Sequence, residues 1–238
     1  MTNPSTVSYR HLLLVEPTIN GGQVDFLPVI IHAGGMAWVD HYLYVADTVH
    51  GFRVFDMGQI LEVATAKNII GWDPVDSLYY AGLYKYVVPQ VGHYERGGDC
   101  APRFSFVALD RSADPPALVS GEYDSGTLFG RLFHWPLAAD SRRLAPATSF
   151  PQSAYFSLHS HLQGAVSNGP THWLSSSEPP QGKGDLYVAA EGTASQTVTW
   201  VDAPEDLLLD GPRNKLWSLS EGHAERYVFA VSPPPTSG

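Results

Sequence analysis

GMAWVD at 35–40 has three counterparts farther along the chain: SFVALD at 105–110, QGAVSN at 163–168 and EDLLLD at 205–210. Each ends in Asp or Asn and opens the same succession of strand, turn, strand, turn, strand. The second strands read YLYVADT at 42–48, ALVSGEYD at 117–124, HWLSSSE at 172–178 and KLWSLSE at 215–221. The third read GFRVFDM at 51–57, GRLFHWPL at 130–137, GDLYVAA at 184–190 and ERYVFAV at 225–231. All are short, rich in Val, Leu, Tyr, Phe and Trp, and bounded by Gly, Asp, Asn or Pro, which favours sheet over helix. A repeated antiparallel unit of this kind predicts an all-β fold, a β-propeller in which the first strand of every unit lines a central pocket.

The repeat is unevenly decorated, with longer inter-strand insertions at 58–103 and 138–162 inside one domain spanning 1–238. In the first insertion, MGQILEVATAKN has apolar positions compatible with a short helix. YKYVVPQVGHYE after it reads as the outer, fourth strand of the first blade. SRRLAPATSFPQSAYFSLHS in the second reads mostly as loop. The last unit ends at ERYVFAV, because the prolines of SPPPTSG lack ladder donors. RHLLLVEP at 10–17 or QVDFLPVII at 23–31 is expected to join that C-terminal blade and close the ring. Two N-terminal strands and the large intervals favour five blades over four.

With 238 residues, 44% of them hydrophobic and 16% charged, the chain can bury a substantial core. A net charge of -10 without a Lys/Arg cluster disfavours nucleic acid and anionic membranes as partners, leaving a small-molecule ligand or substrate. The one cysteine, Cys100, excludes an intramolecular disulfide and a Cys-based zinc cluster. MTNPSTVSYRHLLLVEP has no basic n-region followed by an apolar h-region, and no apolar run approaches membrane-spanning length. The expected location is cytoplasmic; a mature secreted chain would read the same way.

Aligned at the hexamers, the four units bring His32 with Gly35, Arg103 with Ser105, His161 with Gln163, and Asp202 with Glu205 to one end of the channel. The antiparallel second strands return Asp47, Glu122 with Asp124, Glu178 and Glu221 to the same end. Asp40, Asp110, Asn168 and Asp210 sit at the opposite end, where Asp and Asn serve turns. Glu205 precedes a strongly apolar strand, and burial there would raise its pKa toward the range of a general acid or base. His32 and His161 are the other acid/base candidates; Arg103, Ser105, Gln163, Glu122 and Glu221 are candidates for holding a substrate. No metal-ligand spacing is present, although His32, His159 and His161 with Glu205 could supply nitrogen and oxygen donors to a divalent ion; no cofactor is expected. No G-x-S-x-G elbow or phosphate-binding loop occurs. Trp38, Phe106, Trp135, Trp173 and Trp217 read as core between blades, while Trp72, Tyr79, Tyr80, Tyr84, Tyr86 and Tyr94 in the insertion would suit stacking on a ligand or local packing.

HAGGMAWVDHYLYVADTVHGFRVFDM, with RFSFVALDR, LQGAV and APEDLLL, resembles a family of actinobacterial β-propeller proteins, mostly uncharacterised and many of them secreted. The resemblance implies the fold and brings no catalytic residue with it. Two functions remain open. One is a cofactor-independent enzyme, a cyclase, lyase or isomerase acting on a small molecule, as in specialised-metabolite biosynthesis. The other is a non-catalytic propeller that binds carbohydrate or another small ligand. The leading residues Gly35, Ser105, Gln163 and Glu205 all differ, which favours one asymmetric site over repeated rim sites.

Overall fold

The structure is a computed structural model, and it describes residues 8–144, 150–177, 182–190, 192–221 and 226–235. Contacts group the described residues into two compact units, one within 1–31, 41–43 and 54–93, the other within 32–40, 44–53 and 94–238. The first nine strands are β1 (Leu13–Asn20), β2 (Gln23–Pro28), β3 (Ala33–Val39), β4 (Tyr42–Asp47), β5 (Gly51–Asp56), β6 (Leu61–Glu62), β7 (Ile70–Asp73), β8 (Leu78–Ala81) and β9 (Tyr86–Glu95). Among the described residues no helix is long and apolar enough to cross a membrane.

In the first unit β1 and β2 form a hairpin whose turn residues, Gly21 and Gly22, both have positive φ. Only a residue without a Cβ meets that requirement at little cost. β1 also pairs in parallel with β9, and Val15, Phe26, Ala81 and Val87 form the core beneath. The N-terminal segments thus pair with each other and with β9; the expectation that they complete the C-terminal unit is corrected. The helix expected in MGQILEVATAKN is also absent: a three-residue 3-10 turn at Met57–Gln59, capped by the Asp56 carboxylate on the Gly58 N–H at 2.9 Å, leads into β6. β-Branched Ile60, Val63 and Thr65 suit the extended chain better than a helix. The insertion aromatics pack locally: Trp72 lies 4.9 Å from Tyr79, which stacks on Phe26 and donates its hydroxyl to Val24 O at 2.6 Å.

In the second unit the remaining strands are β10 (Phe106–Asp110), β11 (Ala117–Gly121), β12 (Arg131–Pro136), β13 (Ser153–Phe156), β14 (Leu162–Asn168), β15 (Thr171–Ser176), β16 (Lys183–Ala190), β17 (Gln196–Asp202), β18 (Pro204–Asp210), β19 (Lys215–Ser220) and β20 (Val228–Val231). They make three antiparallel sheets in sequence order, β10 to β13, β14 to β17 and β18 to β20. Every hexamer supplies the first strand of its unit, as its apolar run and terminal turn residue dictate. Two fourth strands were not legible: β13 lies in a segment read as loop, and β17 in QTVTWVD, whose Thr and Val alternation marks an outer strand.

β3 neighbours β10, β10 neighbours β14, β14 neighbours β18, and β18 neighbours β3. β10, which lies between β3 and β14, is buried at all five positions. Phe106, Val119, Leu132, Leu162 and Leu174 interlock two sheets; Val166, Trp173, Leu186, Leu207 and Leu216 continue the core into the last. Beside them Phe52 stacks on Phe104 at 4.5 Å, and Trp135 meets both edge-on while donating its Nε1–H to Ser120 Oγ at 2.8 Å.

Candidate functional site

β18 does not pair residue for residue with β19. Pro204 faces Ser220 and Leu207 faces Ser218, so Glu205 and Asp206 together stand opposite the single residue Leu219. This is a β-bulge, and it overrides the alternation that would send consecutive side chains to opposite faces. Both acids line one cavity of about 520 Å³, walled by Gly34, Met36, Leu208, Trp217, Leu219 and Tyr227, with Glu221 and Arg226 at its polar side. A second bulge falls at Gln163, where Leu162 faces Ser176 and Gly164 faces Ser175.

Two glycines let the inner strands approach. A Cβ on Gly35 would fall on the Asp206 carboxylate and 2.9 Å from Val107 N; one on Gly164 would fall 2.8 Å from the Asp206 Cα. The absence of side chains here allows the bulge to sit against β3 and β14.

Burial pushes the Glu205 carboxyl up to about 7, and the neighbouring negative charge of Glu221 adds to it. Asp206 is raised well above the ordinary Asp value, chiefly by burial and further by Glu205, even though its carboxylate accepts N–H bonds from Leu207 at 2.9 Å and Met36 at 3.2 Å. Two adjacent carboxyls that resist ionisation beside apolar walls can hold and exchange a proton near neutral pH.

The other candidates separate into distinct places. Glu221 shares the cavity with Glu205. Ser105 and Gln163 meet each other, Ser105 Oγ lying 3.1 Å from Gln163 Oε1 and from Leu162 O. Glu122 is engaged by Arg131 at 2.6 and 2.7 Å and accepts the Arg103 N–H at 3.0 Å; these partners outweigh burial and hold its pKa below the ordinary value. Arg103 itself is exposed. His32 bonds Thr48 Oγ1 at 2.9 Å, and His161 is buried edge-on to Tyr123 at 5.2 Å; neither lines the cavity. Among the remaining strand-end acids, Asp47 is held by Arg53 and His50, and Asp124 by Thr127. Glu178 lies outside the described residues. No three or more His, Cys, Asp or Glu side chains converge as they would around a metal ion among the described residues.

Nothing in the sequence marks Asp206, Trp217 or Arg226 as site residues. Strand alternation assigns Asp206 to the face opposite Glu205, and nothing local announces the bulge. Trp217 is expected in the core, but β19 buries Leu216, Ser218 and Ser220 and turns Trp217 and Leu219 outward. Trp38 is likewise 55% exposed instead of buried, with its Nε1–H on Asp40 O at 2.8 Å.

No protein-family model matches the chain, and a search of curated proteins found no match. Among solved structures the chain is similar to Kuenenia stuttgartiensis hydrazine synthase, with a TM-score of 0.36 and 11% identity over 91% of this chain and 76% of that one. A likeness at that level leaves the function to be argued from the chain's own residues.

Proposed function

We propose that the cavity at Glu205 and Asp206 binds a small molecule and performs cofactor-independent acid/base chemistry of the cyclase, lyase or isomerase kind. The observation that carries this reading is the bulge that turns two consecutive carboxyls, both with raised pKa, into one apolar-walled cavity. Glu205, pushed up to about 7, accepts a proton from the substrate, and Asp206, whose pKa burial also raises, is the neighbouring acid. Met36, Leu208, Trp217 and Leu219, all partly exposed, offer an apolar wall to the body of the ligand. His32 and His161, outside this lining, are left out of the proton transfer.

The scaffold fits a four-bladed propeller, with β3, β10, β14 and β18 as inner strands. The cyclic order of neighbours among these strands supports four blades over the five that the sequence favoured. Partly exposed Trp217 and Tyr227 at the cavity also suit a second reading, non-catalytic capture of a carbohydrate or other small ligand by stacking.

A thermal-shift screen of small molecules tests both readings. Hits should lose their stabilising effect in Glu205→Gln and Trp217→Ala variants, and a hit converted to product by the wild type but not by Glu205→Gln selects the enzyme. Hits that stabilise both variants as well as they do the wild type would remove this cavity from consideration.

A further inference from the structure

A different cluster lies at the end of the inner strands marked by Asp110 and Asn168. Ser167 Oγ in β14 is 2.8 Å from His172 Nδ1 in β15 and 3.1 Å from His134 Nε2 in β12. Ser153 Oγ stands 3.4 Å from the other nitrogen of His134. The two imidazoles therefore come from different sheets and converge on one hydroxyl. Other buried serines in this unit behave differently: Ser105, Ser176 and Ser218 each donate to a backbone carbonyl, at 3.1, 2.9 and 3.1 Å. Ser167 has ring nitrogens instead. A hydroxyl has one proton and two lone pairs; in the tautomers where it donates to one imidazole and accepts from the other, Oγ has a base on one side and a donor on the other.

One cavity reaches this serine and another reaches its two imidazole partners. Ser167 lines a cavity of about 240 Å³ with Leu109, Arg111, Leu209 and Pro212. His134 and His172 line a neighbouring cavity of about 240 Å³ with Asp110, Gln152 and Tyr155, and Ser112 borders both. Each volume is below that of a drug-sized ligand site, so the substrate is small.

We propose that Ser167 is a nucleophile for small acyl esters that carry an anionic group, which Arg111 would attract, with Leu109, Leu209 and Pro212 against the apolar part. Oγ attacks the ester carbonyl carbon while its proton passes to an imidazole nitrogen. The tetrahedral adduct expels the alcohol, which leaves with that proton, and the acyl group stays on Oγ. Water, deprotonated by the same imidazole, then releases the carboxylic acid and restores Ser167. The net change is ester plus water to acid plus alcohol. No G-x-S-x-G elbow is needed, because imidazoles reach Oγ from β15 and β12 and do not depend on a strand-to-helix turn.

The test is to incubate the full chain at pH 8 with a small alkyl fluorophosphonate and to map the adduct by intact mass and peptide sequencing. One phosphonyl group on Ser167 is expected, lost in Ser167→Ala and formed at least tenfold more slowly in His134→Gln or His172→Gln. Wild-type mapping decides the matter even if a variant fails to fold. No adduct, or an adduct only at other residues, overturns the proposal; a Ser167→Ala variant that merely melts lower, with no wild-type labelling, makes the cluster a clasp between sheets.

Discussion

The Asp206 carboxylate accepts the backbone N–H of Met36 at 3.2 Å, joining β18 to β3 across 170 residues of sequence. The same oxygen occupies the space that a side chain on Gly35 would need. One carboxyl thus braces the scaffold and borders the cavity, and its two roles can be separated by substitution.

Met36 and Leu207 donate to different oxygens of Asp206, so Asp206→Asn keeps an acceptor for one of them, whereas Asp206→Ala leaves both N–H groups without one. Urea unfolding is expected to show a loss of about 1–3 kcal/mol for the alanine variant and less for the asparagine. Equal losses would mean that these hydrogen bonds do not hold the strands.

Gly35→Ala drives a Cβ into the Asp206 carboxylate and toward Val107 N. An overpacking cost of about 1–3 kcal/mol is expected. In the Gly35→Ala/Asp206→Ala double variant the sum of the single losses should not be reached, because the second change removes part of the clash. Simple additivity in the double-mutant cycle would place the strain elsewhere.

Glu205 should leave a signature in the pH dependence of stability. Its folded pKa of about 7 lies above the ordinary carboxylate value, so the folded state binds more protons in between. Stability therefore falls as pH rises from about 4.5 through 7, and the penalty is complete above 7. Glu205→Gln is expected to gain about 1–2 kcal/mol at pH 8, where solvent screens part of the shift, and nothing at pH 4. A gain independent of pH would show that Glu205 is not the titrating group.

Glu122 behaves in the opposite sense. Arg131 and the backbone N–H groups hold its pKa below the ordinary value, so the pair contributes stability above about pH 4.5 that is lost as pH falls through the depressed value. Arg131→Met should cost about 2 kcal/mol at pH 7 and flatten the acid limb of the melting curve. An unchanged acid limb would mean that other carboxylates control it.

Within the aromatic cluster, Phe104 contacts Phe52, Phe133 and Trp135 and is almost fully buried. Phe104→Ala is expected to cost about 3–5 kcal/mol in denaturant unfolding. Below about 1 kcal/mol, the cluster would not be part of the cooperative core.

Much of the architecture was legible because strands announce themselves locally. The hexamers, their partner strands and the turns at Asp110 and Asp210 all appear where alternation and turn chemistry put them; the Asp110 carboxylate takes the Ser112 N–H at 2.8 Å, and Asp210 pairs with Arg213. Glu205 could be singled out because an acid beside LLL is costly to bury. His32, His161 and Glu122 could not be assigned from the same logic, since a shared end of several strands does not say which side chains turn into a cavity and which turn toward partners such as Thr48, Tyr123 or Arg131.

By itself the sequence determined the strand units, their order and the acidic, cysteine-poor character of the chain, since these follow from side-chain periodicity and composition. Tertiary structure alone decided that Glu205 and Asp206 share a cavity, that Trp217 faces outward, and that Ser167 lies between two histidines. The physical reason is that each depends on a register or a contact between residues distant in sequence. A one-residue bulge reverses a side chain's face without leaving a local trace, and two imidazoles converge on a hydroxyl only once the sheets that carry them have packed.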